Sequence, residues 1–286
     1  MIMSKLVQRL LVFFIGVPLV LSMVFVDYSN HLILHIAMIV VTIIASLEMY
    51  GLLAVHNSMQ PRMLVITLTV LLPITGFLCA FLSLPFDLLT YTLIFILLLI
   101  LLYEVLFPRV KDEEPFALSN SRISSSFLLV IYSGFLITFV ARMTVWANST
   151  AYLSVFLAMV FGCDSFAWLI GMLFGKGNRG LFLVSPNKSI AGFAGGVLGT
   201  IGIGILAWNI FPQAFPGSVY KVVILGLIAS VSAIFGDLIE SVLKRSAHYK
   251  DSGKVIPGRG GILDSIDSIL LLSPVYFIAI QLLYGI

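Results

Sequence analysis

Charge is scarce in this chain. Only 10% of its 286 residues are Asp, Glu, Lys or Arg, where a soluble domain carries about 25%. Cysteine is nearly absent: Cys79 and Cys163 both sit in apolar runs, which allows one disulfide at most and no zinc pattern. The four histidines, His31, His35, His56 and His248, do not cluster, so hydrolysis by a Ser-His-Asp triad is disfavoured. No GxxxxGK[ST] loop is present, which excludes a Walker A phosphate site. Alternating polar and apolar segments are also missing, which argues against a β-barrel. No repeat, low-complexity tract or stretch long enough for a soluble domain appears. The net charge of +3 does not by itself imply a nucleic-acid partner, and none is expected.

What is present is apolar sequence, 60% of the chain, with 22 Phe. A helix needs roughly 20 mostly apolar residues to span a bilayer. The chain therefore reads as an all-α polytopic membrane protein of about nine spans. They fall near 10–26, 32–54, 63–82, 86–107, 124–141, 151–174, 190–211, 219–240 and 262–284. The first run follows Lys5 and Arg9 but is long and has further spans behind it, so it reads as a retained span, not a signal peptide. Pro18, Pro73 and Pro274 fall inside spans, where neighbours can satisfy the freed carbonyls. With the N-terminus in the cytoplasm, fourteen Lys and Arg lie on the cytoplasmic side and two, Arg142 and Lys221, lie outside, as the positive-inside rule requires. A looser division separates spans one to four (1–123) from spans five to nine (124–286), which hold nearly every candidate functional group.

The charge that exists is concentrated. Residues 241–267 hold five Lys or Arg and three Asp between two long apolar runs. Carboxylates within spans are costly and usually face an interior, a cavity or a partner. Asp237 and Glu240 close span eight, and Asp264 and Asp267 open span nine. Each pair is spaced i,i+3 and so shares one helix face. The two faces can meet across the connection 241–261. Hard cations such as Mg²⁺ take oxygen ligands and often bridge carboxylates to substrate phosphates. Asp264, Asp267, Asp237 and Glu240 are the expected ligands; the plainer role for Asp264 is a helix cap. Asp164, deeper in span six, is a further site candidate. Glu48 and Glu104 are expected to form structural pairs with basic groups.

Lys244, Arg245, Lys250, Lys254 and Arg259 supply positive charge beside these acids. Arg suits bidentate phosphate contacts, and Lys acts as a mobile point charge. In the turn Pro257-Gly258-Arg259-Gly260-Gly261, successive amides can cup a phosphate, joined by the first amides of span nine. A positive-inside loop touching headgroups is the plainer reading. On the same side lie Lys176 and Ser185-Pro186-Asn187-Lys188-Ser189. Lys188 is placed to reach a phosphate, and Ser185 or Ser189 to cap span seven. The glycines of that span (Gly192, Gly195, Gly196, Gly199) read as a helix-packing face.

These segments together resemble the phosphatidate cytidylyltransferases, the CDP-diacylglycerol synthases. The matches are Ser241, Lys244, Arg245, Lys250, Asp251, Gly253, Pro257, Gly260, Gly261, Asp264 and Asp267. Asp164, Ala167 and Gly171, and the segment Ser185 to Ser189, add to the likeness. The family usually has His where Arg259 stands, Arg at Ser265 and Glu at Ala191. The resemblance implies transfer of a cytidylyl group from CTP to phosphatidate, releasing pyrophosphate. Implied catalytic residues are Asp264, Asp267, Asp237, Lys244 and Lys188. Arg245, Lys250, Arg259, Gly260, Gly261, Ser185, Lys176 and Asp164 would bind substrate. Mg²⁺ at one or two divalent sites is expected, with a monovalent cation as an option. Expected partners are CTP, phosphatidate and membrane lipids, with a homodimer as a further expectation. The expected location is the cell inner membrane or plasma membrane, with the active site cytoplasmic. A CTP-dependent lipid kinase and an ion-coupled transporter are the alternatives. The first would need a base for a neutral hydroxyl, and the second would place its acids near mid-bilayer.

Overall fold

A computed structural model describes residues 12–108, 114, 116–258 and 260–286. Among them there is no β-strand, only the isolated bridges Arg179–Ser189 and Ile256–Gly260. After a π-turn at Val12–Gly16 the helices are α1 (Val17–Phe25), α2 (Tyr28–Leu53), α3 (Arg62–Phe81) and α4 (Asp87–Leu106). Then come α5 (Ser119–Leu129), a π-helical segment (Val130–Phe135), α6 (Thr138–Met143), α7 (Ser149–Phe174), α8 (Ile190–Ile210), α9 (Tyr220–Ser246) and α10 (Leu263–Tyr284).

Eight helices among the described residues are long and apolar enough to cross a membrane, α5 to α6 counting as one. The protein is thus an all-α polytopic membrane protein. Where a ninth span was expected at 10–26, the structure has a shorter apolar helix, Phe14–Phe25, and the start of that run lies outside the described residues. The expected span 124–141 is not one helix. It is α5, the π-helical segment and α6 in series.

Hydrogen bonds sort the connections onto two faces. On one face Asn30 Nδ2 donates to Ala80 O (2.7 Å), His31 meets Ser149 Oγ (2.9 Å) and Lys221 Nζ donates to Leu283 O (2.7 Å). On the other, Ser58 N donates to Ser121 Oγ (3.2 Å) and Gln60 Nε2 to Ile100 O (2.8 Å). There the His56 and His248 rings also meet edge to face. Alternate connections therefore gather at opposite ends of the bundle, and the charged segments share one end.

Two packing details set the position of the charged end. The glycine face of α8 lets α7 approach closely. A Cβ on Gly195 would fall 2.5 Å from Ile170 Cβ, and one on Gly192 2.8 Å from Ala167 O. The expectation of a packing role for these glycines holds. On α9, Gly236 does the same against α10, where a Cβ would lie 2.7 Å from Asp267 O. Farther along α10, Pro274 cannot donate to Leu270 O, and Ser273 Oγ donates to that carbonyl instead (3.0 Å).

Candidate active site

Two clusters of charge lie at this end. The first lines a cleft of about 460 Å³ between α7, α8 and α9. Its walls carry Asp164, Arg179, Asn187, Lys188 and Asp237, with Trp168 and Met172 at the exposed edge. The connection that brings Lys188 here is folded by local bonds. Lys188 N donates to Ser185 O (3.1 Å) and Gly180 N to Lys188 O (3.2 Å). Ser189 then caps α8, its Oγ accepting from Gly192 N at 3.0 Å. Lys188 Nζ pairs with Asp237 Oδ2. Ser241 Oγ lies 3.4 Å from Asp237 Oδ1.

The second cluster joins α9 to α10. Lys244 Nζ bridges Glu240 Oε2 and Asp264 Oδ1, the latter at 2.6 Å. The other oxygen of Asp264 accepts from Ser252 N (2.8 Å), Ser252 Oγ (2.9 Å) and Gly261 N (2.7 Å). Asp267, one helical turn on, is buried between the two clusters, with Asp237, Asp164 and Glu240 near enough to act on it electrostatically. The i,i+3 pairs on α9 and α10 thus do face each other, with Lys244 between them.

Other candidates sit farther out. Arg245 is exposed and donates to Tyr249 O (3.1 Å), and Lys176 and Lys250 are exposed. Arg259 lies outside the described residues. The amide cup is a different matter. Gly260 N donates to Ile256 O (3.0 Å), Gly261 N to Asp264, and the amides of Ile262 and Leu263 to Glu48. These amides are taken up by the protein itself: Glu48 of α2 holds two, Asp264 of α10 holds one and the Ile256 carbonyl holds the fourth. Of the two acids expected in structural ion pairs, Glu104 does pair with Arg122, buried, at 2.6 Å. Glu48 does not. It holds backbone amides and Ser252 instead.

The residues suit a hard divalent cation. The candidate ligands are all carboxylates, and fully buried Glu240 has Lys244 on Oε2 and no hydrogen-bond partner for Oε1 among the described residues. Among those residues no three His, Cys, Asp or Glu converge into a closed metal cage.

The sequence pattern of the cytidylyltransferase family matches residues 7–283, nearly the whole chain and both clusters. The chain belongs to this family. It is 34% identical over 185 residues to the phosphatidate cytidylyltransferase of Thermotoga maritima, covering 64% of this chain and 67% of that protein. The Bacillus subtilis phosphatidate cytidylyltransferase is 34% identical over 190 residues, 65% of this chain and 66% of that one. For the Chlamydia trachomatis phosphatidate cytidylyltransferase the figures are 34% over 154 residues, 53% of this chain and about half (48%) of the relative. Within this family frame, sequence reasoning missed Glu48, Ser252 and Asn187 as parts of the charged end. Ser252 and Asn187 lie inside segments already singled out, and Glu48 was singled out as an acid within a span but with a basic partner expected in place of backbone amides.

Proposed function

We propose that this cytidylyltransferase transfers the cytidylyl group of CTP to phosphatidate, giving CDP-diacylglycerol and pyrophosphate in phospholipid biosynthesis. The observation that carries the reading is the pairing of two lysines with acids at one end of the bundle, Lys188 with Asp237 and Lys244 with Asp264 and Glu240, beside an open cleft. A site that must hold a triphosphate needs exchangeable positive charge. Both lysines are balanced by carboxylates here and are placed to turn toward incoming phosphate oxygens.

In the reaction a phosphatidate oxygen attacks the α-phosphorus of CTP, a new P–O bond forms, and pyrophosphate leaves with the bonding pair. The second pKa of a phosphate monoester is about 6, so the nucleophile is largely a dianion at neutral pH. It needs no dedicated base. What the chain must supply is alignment and neutralisation of charge. Lys188 and Lys244 would draw the phosphates in and steady the departing pyrophosphate, assisted by Arg245 and Lys250 from the rim and by Arg259. Mg²⁺ would be held by Asp264, Asp267, Asp237 and Glu240, and it neutralises phosphate oxygens when bound. Trp168 and Met172, exposed at the cleft edge on a membrane-spanning helix, leave a lateral way in for a lipid headgroup. We place this end of the bundle in the cytoplasm, on the fourteen-to-two distribution of basic residues, in the cell inner or plasma membrane.

The test is direct. Purified protein with labelled CTP, phosphatidate and Mg²⁺ should yield CDP-lipid and pyrophosphate in equal amounts. EDTA should abolish the product and added Mg²⁺ restore it. Phosphorylated lipid with release of CDP, or no lipid product, would sink the reading.

A further inference from the structure

Glu48 belongs to the first half of the chain, on α2, five residues before that helix ends at Leu53. Its carboxylate reaches the start of α10. Oε1 accepts from Ile262 N (3.1 Å), and Oε2 accepts from Leu263 N (2.8 Å) and Ser252 Oγ (3.0 Å). Ser252 is shared: its single hydroxyl proton lies between Glu48 Oε2 and Asp264 Oδ2, the latter 2.9 Å away, and its amide donates to Asp264 Oδ2. Gly253 and Gly261 press against the Glu48 carboxylate, and neither position has room for a Cβ.

A helix start leaves amides without intrahelical partners, and a carboxylate there satisfies them and complements the helix dipole. The usual donor of that carboxylate is a local cap. Here Asp264 is turned toward Lys244, Ser252 and Gly261, and an acid from another helix takes the Ile262 and Leu263 amides. We propose that Glu48 is a positioning residue for the cytidylyl transfer: it pins the first turn of α10 and, through Ser252, fixes the direction of Asp264. This rests on the functional reading above only for its catalytic consequence; the pinning itself is a property of the fold.

Two measurements on Glu48→Gln test it. This change keeps the size but puts an amide NH₂ where one acceptor stood. In the assay with CTP and phosphatidate, kcat should fall about 10- to 100-fold, since a misplacement on the order of 1 Å costs about that much. The KM for CTP should move less than about threefold, because the interaction lost is one that matters in the transition state. Ser252→Ala should lower kcat in the same direction by less, and adding it to Glu48→Gln should cost little more. A purely structural acid provides the contrast. Glu104→Gln breaks the buried pair with Arg122, and should lower the melting temperature while kcat per folded molecule stays at the parent value. Backbone hydrogen exchange, which needs no substrate, should speed up at residues 252–264 in Glu48→Gln and stay unchanged in α7. Parent-like kcat in folded Glu48→Gln, or in Ser252→Ala should the former not fold, overturns the proposal. So does unchanged exchange at 252–264. If the parent makes no CDP-lipid, the functional reading fails, and exchange alone still decides whether Glu48 pins the turn.

Discussion

At the scale of single residues, the site is a set of charges that hold one another. Asp264 has the densest set of partners, with Lys244 on one oxygen and three donors on the other. Asp264→Asn keeps the shape but removes the negative charge and turns one acceptor into a donor facing Gly261 N or Lys244. We expect turnover to fall by at least about 100-fold, the scale of a lost charge-stabilising group, with the circular dichroism of the parent retained. Near-parent turnover at limiting Mg²⁺ would remove Asp264 from the site. Lys188→Met should act differently. The lysine is half-buried, and its Nζ lies 5.9 Å from the centre of the Phe193 ring. Its loss should raise the KM for CTP by about tenfold or more, as expected when a charge-assisted contact of roughly 1.5–3 kcal/mol is removed. A titration of initial rate against CTP would show this. An unchanged KM would leave Lys188 as a mere partner of Asp237. Most of these residues were legible in the sequence, because i,i+3 acids and a neighbouring basic run place charge on one face before any fold is known. The role of Glu48 was not legible, since two of its partners are backbone amides 214 and 215 positions away and backbone amides have no residue type to read.

At the scale of helices, close approach decides where the site's walls stand. The α7–α8 contact carries Asp164 on one helix and is reached by Lys188 just before the other. Gly195→Ala would drive a methyl into Ile170, whereas Gly202→Ala, on the same helix, meets nothing within 4 Å. The first should destabilise by about 1–3 kcal/mol, as overpacking does. The second should be neutral or slightly stabilising, because alanine is the better helix former. Thermal unfolding of the two variants in one detergent checks the difference, and equal melting temperatures would mean that α7 moves freely away from α8. The glycine stripe was readable in the sequence, because its spacing repeats once per helical turn. The break of the fifth span into α5, a π-helical segment and α6 was not. Residues 124–141 contain no proline and only one glycine, Gly134, and the break comes where Gly134 packs against α3, with a Cβ there 2.9 Å from Thr69 O. That contact is tertiary, and the local sequence does not encode it.

At the scale of the whole molecule, the two faces of the bundle differ in kind. One is tied by hydrogen bonds to backbone carbonyls, from Lys221, Tyr152 and Tyr276, and by aromatic contacts around Tyr152, Phe215 and Tyr276. The other holds both lysine–acid clusters and the buried Glu104–Arg122 pair. That asymmetry is what a soluble nucleotide and a membrane-bound lipid acceptor require, since only the charged face must meet CTP. It also yields a prediction that needs no activity. Leu183 is 99% exposed in the connection between α7 and α8, and Ser218 is exposed between α8 and α9 at the opposite end. With buried Cys79 and Cys163 replaced, a single cysteine at each position should be modified from opposite sides of the membrane. In intact cells an impermeant maleimide should label Ser218→Cys and leave Leu183→Cys unreacted until the membrane is permeabilised. One helix separates the two positions, so their opposition tests α8 as a full crossing independently of which side is cytoplasmic. Labelling of both in intact cells would break the alternation of spans on which the placement of the site depends. Labelling of Leu183→Cys alone would keep the alternation but turn the charged face outward, away from CTP, and the basic residues that crowd that face would then need another explanation than the positive-inside rule.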